Sequence, residues 1–432
     1  MTAATSTAST EIDYGTLVLP DRVHGRLYTD PKIFEDELER IWYRTWVYVG
    51  HDSEIPEPGD YVVRSIGLQP VVMVRDSDGR VQLFLNRCPH RGNMLCLEER
   101  GHSRVLKCSY HGWSFAPDGR CIGVTFPGGY PDEFDKAKFG LSAVPRVDSH
   151  QGFVFGSFSP TGPTLTEHLG SAKWYIDRFV ELSPEGKVEL SAGTVKARYR
   201  GNWKMVVENV VDGYHPAFLH RSMLKDTDIE KVAGGDGIDP TVHSVALGRG
   251  HGMVDAREQN RRSGLVFQFS GAGNGAEEEW LEALTARYGR EAAETAIAER
   301  VWPVVIFPNL GLVWQDVRVV YPRAADESVL THTPAMLKGA PAAVNSERVL
   351  QNTAAYGPAG LVGADDVEVY ERCQIGYEAR APEWAVIPRG QHREWSDERG
   401  WIFGQASDDT ALREYWHEYL RVMSESTKDG SP

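Results

Sequence analysis

Two short segments, Cys88-Pro-His90-Arg-Gly92 and Cys108-Ser-Tyr-His111-Gly112-Trp113, constrain this 432-residue chain more than any other feature. Each offers one thiolate and one imidazole, and seventeen residues separate His90 from Cys108. For the four side chains to meet, two loops must face each other at the ends of neighbouring strands. Both halves follow predicted strands, RVQLFLNRC and the short run into KCSYHGW. Gly92 and Gly112 carry no side chain where the loops would close, so backbone N–H groups can approach the sulfurs.

Two kinds of metal centre accept such a donor set. Zinc binds Cys2His2, but structural zinc sites usually carry a Cys-x2–4-Cys pair in one half. Here each half is mixed, which suits a Rieske [2Fe–2S] cluster, where two histidines replace two cysteines on one iron. Cys96, Cys121 and Cys373 have no partner at metal spacing and read as small core residues. Five cysteines in a chain of this length make no disulfide framework.

Charge and hydropathy exclude other classes. With 46 Lys+Arg against 61 Asp+Glu the formal charge is −15, which argues against nucleic acid or an anionic membrane as partner. No run approaches the ~20 apolar residues of a membrane helix. The start, MTAATSTASTEIDYG, lacks the basic and apolar regions of a signal peptide. A cytoplasmic location is the expectation.

The texture of the chain divides it in two. Residues 45–157 alternate short apolar runs with Asp/Gly turns and read as an all-β unit. Residues 31–50 begin with an amphipathic helix and pass into a strand at Trp46–Val49. Beyond 157 the pattern is mixed: VVIFPNLGLVW, VRVVYP and VLTHTPAML read as buried antiparallel strands. Helices are expected at the start of GNWKMVVENVVDGYHPAFLH, over 277–299, 343–356 and 364–378, and from 408 to 423. The fold class is therefore α+β, with residues 1–44 and 158–432 forming the second unit. Residues 222–265 show weak periodicity and suggest long loops.

That second unit contains a second metal candidate, Glu208-Asn209-Val-Val-Asp212-Gly-Tyr214-His215-Pro216-Ala-Phe218-Leu219-His220. Asp212 and His215 are three apart and would share a helical face. A regular helix would turn His220 away from His215, but Pro216 limits helical continuation, so a distorted turn could bring the rings together. Two imidazoles and one carboxylate on one face of Fe(II) leave adjacent positions open. The carboxylate can come from Asp365 or Asp366, after the Gly-rich run Tyr356-Gly-Pro-Ala-Gly-Leu361-Val362-Gly-Ala. Either could instead serve a helix N-terminus.

Together, CPHRG…CSYHGW, EN…D.YH….H and GPAG…DD closely resemble the large (α) subunits of aromatic-ring-hydroxylating oxygenases, over most of the chain. The resemblance implies a [2Fe–2S] cluster on Cys88, His90, Cys108 and His111. It implies mononuclear Fe(II) on His215, His220 and Asp366, leaving Asp365 as a helix cap. It gives Asp212 the role of a bridge from His215 to His111 of a neighbouring subunit, within an α3 or α3β3 assembly. The implied partners are a small (β) subunit and a ferredoxin or ferredoxin reductase that relays electrons from NAD(P)H.

The implied reaction is cis-dihydroxylation of an arene or aromatic carboxylate with O2. The alternatives are monooxygenation or O-/N-demethylation on the same centres, and, more remotely, electron transfer without oxygenation. Three steps separate Asn209 from Asp212, as in benzoate-dioxygenase-like members, against four in naphthalene-dioxygenase-like ones. That difference counts against a site role for Asn209 and leans toward aromatic acids. Val207, Val210, Phe218, Leu219, Tyr356, Leu361 and Val362 flank the ligands and are candidates for the substrate pocket. A carboxylate substrate would need a buried donor, for which the polar residues of 222–275 are the candidates.

Overall fold

The computed structural model describes residues 12–221, 240–263, 275–299 and 303–425. Ten strands lie between Val47 and Ser157: β1 Val47–His51, β2 Asp60–Ile66, β3 Gln69–Arg75, β4 Val81–Leu85, β5 Arg100–His102, β6 Leu106–Lys107, β7 Ser114–Phe115, β8 Cys121–Gly123, β9 Arg146–His150 and β10 Phe153–Ser157. They form three antiparallel sheets, ordered β4-β3-β2-β5, β8-β7-β6 and β9-β10-β1. The turn between β3 and β4 is made by Asp76, whose Oδ1 accepts from the backbone N–H of Asp78 at 2.9 Å and of Arg80 at 2.8 Å. Gly79 completes it at φ +80°, where a side chain would be strained.

The rest of the chain is organised by one nine-stranded antiparallel sheet. Its strands are β11 Val195–Tyr199, β12 His243–Gly248, β13 His251–Asp255, β14 Val304–Ile306, β15 Leu310–Val313, β16 Asp316–Ala324, β17 Glu327–Pro334, β18 Trp395–Ser396 and β19 Ile402–Gln405. Their spatial order is β11-β17-β16-β15-β14-β13-β12-β19-β18. The central strands β13, β14 and β15 are buried along their whole length. β14 and β15 read as unbroken apolar runs, because both faces are covered, whereas β13 buries His251 and Asp255 at its two ends.

On one side this sheet meets the first unit. Leu310, Leu312, Val317 and Val319 share a core cluster with Tyr48, Phe153 and Phe155. The Asn309 side chain accepts from the N–H of Tyr48 and donates to its carbonyl, both at 3.0 Å, so the junction is hydrogen-bonded as well as apolar. Elsewhere Val207, Val210 and Val305 belong to the cluster that holds Tyr415, Trp416 and Tyr419. Five helices matter here: α1 Lys204–Val210, α2 Pro216–Leu219, α3 Ala342–Tyr356, α4 Gly363–Tyr377 and α5 Thr410–Ser424.

Three expectations change. The single helix over 277–299 is two, Ala276–Tyr288 and Arg290–Ala298, because Gly289 sits at φ +85° and breaks the chain direction. The helix that opens at Pro31 runs regularly only to Glu37 and then widens into a π-type turn over Leu38–Trp42. Cys96 and Cys121 are buried as expected, but Cys373 is exposed on α4. Much of 222–275 lies outside the described residues. Within it, 240–263 supplies β12, β13 and the helix Arg257–Ser263.

Candidate metal centres

The two Cys/His loops are backbone copies of each other. In the first, the N–H of Cys88 donates to the Asn93 carbonyl at 2.8 Å, and the N–H of Gly92 donates to the Cys88 carbonyl at 2.9 Å. In the second, Cys108 donates to Trp113 and Gly112 donates to Cys108 at the same 2.8 and 2.9 Å. Gly92 and Gly112 adopt φ +75° and +72°, the left-handed turn that this closure needs. In each loop the amides two and three residues on face the sulfur: His90 and Arg91 at Cys88, Tyr110 and His111 at Cys108. The sequence expectation that backbone N–H groups reach the sulfurs is met.

Side chains then sort by depth. Cys88 and Cys108 are buried, with the thiols facing each other, while the imidazoles lie half-buried above them. The His90 and His111 rings are 4.5 Å apart, and Trp113 stacks on His90 at 4.8 Å with an interplanar angle of 3°. Asn86, itself buried, ties the first loop down. It accepts from the N–H groups of Leu95 and Cys96 at 3.1 and 2.9 Å and donates to the Cys96 carbonyl at 2.8 Å. His90 Nδ1 is buried with no hydrogen-bond partner among the described residues. A buried ring nitrogen is costly to leave unpaired. Two facing thiols plus such a nitrogen fit a mixed-ligand iron–sulfur cluster.

The second centre is built where α1 stops. The helix ends at Val210, and residues 211–214 turn the chain. Pro216 then opens α2 at its first position, where a missing N–H costs nothing. The proline therefore starts a helix where the sequence reading had it limiting one. His215 and His220 flank this single turn as its two caps, and their rings lie 5.2 Å apart at 79°. Asp212 lies in the preceding turn, not on a shared helical face as expected, yet its Oδ2 is 3.4 Å from His215 Nδ1.

Asp366 arrives from the other direction. Between α3 and α4 the chain folds so tightly that a Cβ on Gly357 would meet the Thr353 carbonyl oxygen at 2.4 Å, and one on Gly360 the Ala355 oxygen at 2.5 Å. This turn sets Asp366 in the first turn of α4, with Oδ1 at 3.1 Å from His220 Nε2 and 3.8 Å from His215 Nε2. The ligand atoms of His215, His220 and Asp366 all lie within 4.8 Å of one another, a spacing able to hold a metal ion. Among the described residues, both ring nitrogens of His220 and Nδ1 of His215 lack hydrogen-bond partners. Burial works to raise the Asp366 carboxyl, but His220, Arg318 and His215 together hold it below the usual carboxylate range. A carboxylate beside two imidazoles is the donor set that divalent iron takes.

Two features were not anticipated. The Asn209 amide donates to Asp366 Oδ1 at 3.1 Å and lies 3.2 Å from His215 Nε2, so it stands against the ligand set. Asp365 does not cap α4, whose N-cap is Val362 with no side-chain bond. Its Oδ2 instead faces His220 Nδ1 at 3.7 Å, as Asp212 faces His215. Each histidine thus has a carboxylate near its Nδ1, although neither contact is a hydrogen bond. Of the candidate pocket residues, Val207, Val210, Tyr356 and Val362 are buried, Leu219 is half-buried, and Phe218 and Leu361 are exposed.

Comparison with known proteins agrees with this layout. Residues 45–132 match the family model for the Rieske [2Fe-2S] domain, and residues 174–424 match that for the ring hydroxylating alpha subunit (catalytic domain). The anthranilate 1,2-dioxygenase large subunit of Acinetobacter baylyi is 31% identical over 420 residues, spanning 93% of this chain and 87% of the relative. The N,N-dimethyl phenylurea N-demethylase subunit alpha of a Sphingobium species is 28% identical, spanning 94% and 93%. Among solved structures, naphthalene 1,2-dioxygenase with indole in its active site superposes with a TM-score of 0.84 at 26% identity, over 96% of both chains. No helix among the described residues is long and apolar enough to cross a membrane. The chain therefore belongs to the large (α) subunits of the Rieske non-heme iron ring-hydroxylating dioxygenases, terminal oxygenase components that act with O2 on aromatic substrates.

Proposed function

We propose that this chain catalyses cis-dihydroxylation of an arene or aromatic carboxylate. Cys88, His90, Cys108 and His111 hold the [2Fe–2S] cluster, and His215, His220 and Asp366 hold Fe(II). The observation that carries the reading is the convergence of His215, His220 and Asp366 in a chain that also presents the paired Cys/His loops. When bound, the two groups would supply one-electron transfer and O2 activation. The protein's own part is to position these groups. Val207 and Val210 pack into the apolar core beneath α1 and so hold in place the helix that carries Asn209. Asp365 and Asp212 stand near Nδ1 of the two histidines, and the Asn209 amide can donate to whatever occupies the space between the ligands.

Asp212 is proposed as the contact with His111 of a neighbouring subunit, in an α3 or α3β3 assembly. Its support is that Oδ2 already faces His215 while 38% of the side chain remains exposed. Electrons would come from NAD(P)H through a ferredoxin, a ferredoxin reductase, or both, and a β subunit would complete the enzyme in the cytoplasm. The Rieske unit is taken as 45–157, with 1–44 and 158–432 as the catalytic unit. The relatives named for dioxygenation of aromatic acids and naphthalene favour two-oxygen chemistry.

The test is turnover by iron-reconstituted protein with a compatible reductase and a panel of arenes and aryl carboxylates. Formation of a cis-dihydrodiol coupled to O2 consumption is expected. A phenol or a demethylated amine as sole product would move the assignment to monooxygenation, and no oxidised product from any aromatic would refute it.

A further inference from the structure

β16 reads DVRVVYPRA, and its buried run from Asp316 to Pro322 contains one cation, Arg318. Arg318 is 3% exposed. A guanidinium taken out of water needs its charge balanced and its five N–H donors met. The nearest acid does neither well. Asp316 Oδ2 is 3.6 Å from Arg318 Nε, beyond hydrogen-bond distance, and Nε has no partner among the described residues. Asp316 is already engaged, accepting from His332 at 2.7 Å and from the Asn352 amide at 2.9 Å.

The position of Arg318 connects it to the iron site. Opposite it on β15 is Gly311, and a Cβ there would touch Arg318 on one side and Val210 of α1 on the other, each at 3.4 Å. The side chain therefore leaves the sheet on the face that α1 covers, next to the residue that follows Asn209. Its guanidinium lies 4.7 Å from the centre of the Tyr356 ring, which is itself stacked on His332 at 4.6 Å. Arg318 is one of the charges that hold the Asp366 carboxyl below its usual range, and among the described residues the two form no ion pair.

We propose that Arg318 is the substrate-carboxylate anchor, and that the substrate is an aryl carboxylate held with its ring beside Asn209 and its acid group on the guanidinium. The inference rests on the oxygenase reading and names its substrate class. A carboxylate meets the planar fork of arginine with two parallel hydrogen bonds and one opposite charge, whereas a water would satisfy one donor and leave the charge. The Tyr356 face fixes the plane of the guanidinium and so the direction from which the acid can approach.

Calorimetric titration of the iron-loaded protein with benzoate and with benzamide, its uncharged isostere, tests this directly. Wild type should bind benzoate at least ~30-fold more tightly than benzamide, and Arg318→Gln should bring that ratio to within about threefold of one. Arg318→Lys keeps the charge but not the fork and should fall between. Equal affinities in wild type would overturn the anchor whether or not the variants fold. A ratio preserved in a folded Arg318→Gln protein would overturn it too. If neutral arenes are dihydroxylated while aryl carboxylates are neither bound nor oxidised, this inference fails and the oxygenase reading stands. If no aromatic substrate of either kind is oxidised, the oxygenase reading itself fails.

Discussion

Nε2 of His220 lies 3.1 Å from Oδ1 of Asp366, with side-chain exposures of 4% and 3%. A histidine cap after α2 and an acid in the first turn of α4 meet here out of contact with bulk water, with Asp365 near His220 and the Asn209 amide bonded to Asp366. Replacing either ligand should empty this centre and spare the other. In Asp366→Asn and His220→Ala, metal analysis should show the mononuclear iron lost, while the EPR signal of the reduced cluster keeps wild-type intensity. Loss of both signals together would mean that the two centres are not separate structures.

Asp212 offers a different outcome, because it touches no proposed metal position. Asp212→Ala should retain both kinds of iron and the cluster's spectrum. Rapid-quench measurement should show transfer from the reduced cluster to the mononuclear site slowed by at least ~100-fold. Normal transfer in that variant would remove Asp212 from the route. The Tyr214 N–H that now bonds Asp212 Oδ1 at 2.6 Å turns to solvent in the variant, so a modest loss of thermal stability should accompany the effect.

Asn86 makes three hydrogen bonds to the backbone of the first cluster loop, at 2.8 to 3.1 Å. Asn86→Ala leaves buried N–H and C=O groups unpaired, a penalty of about 2–4 kcal/mol. Heating followed by visible absorbance should show cluster loss at lower temperature than in wild type, while the mononuclear centre is kept at ordinary temperature.

His251 gives an acid limit to stability. Its Nδ1 accepts from the Phe307 N–H at 3.0 Å and its Nε2 donates to the His168 carbonyl at 2.8 Å, which requires the neutral ring. Burial pushes its pKa down to about 4. Between pH 6.5 and about 4 the unfolded chain takes a proton that the folded one refuses, so stability falls as pH falls through that window. The full loss from this group is roughly 3 kcal/mol. His251→Gln should show a correspondingly shallower decline in denaturant unfolding between pH 7 and 4. Glu208, raised to about 7 chiefly by burial, contributes with the opposite sign in both proteins and cancels in the difference.

Much of this was legible in the sequence because the chemistry is local. The two Cys/His loops are each a few residues long, and their closure depends on Gly92 and Gly112, which the sequence displays. The helices bearing Asn209 and Asp366 followed from apolar periodicity. What escaped depended on contacts between distant segments. The spacing of Asn209 to Asp212 counts against a site role, but α1 ends at Val210 and the Asn209 amide reaches Asp366 from its last turn. The 277–299 helix looked continuous because its charge and apolar pattern survives Gly289, whose positive φ does not. Arg318 lies inside an apolar run, whereas the polar residues that the sequence offers as carboxylate donors lie in 222–275. The available signal was a cation in a strand too apolar to have a solvent face.

The central claim is that the two centres together place both atoms of one O2 molecule on an aromatic ring. Turnover under ¹⁸O₂ in unlabelled water, with product analysed by mass spectrometry, tests it most directly. The account predicts a cis-diol with ¹⁸O in both hydroxyl groups on adjacent carbons. A product carrying a single labelled oxygen, such as a phenol or the aldehyde released by demethylation, would contradict it.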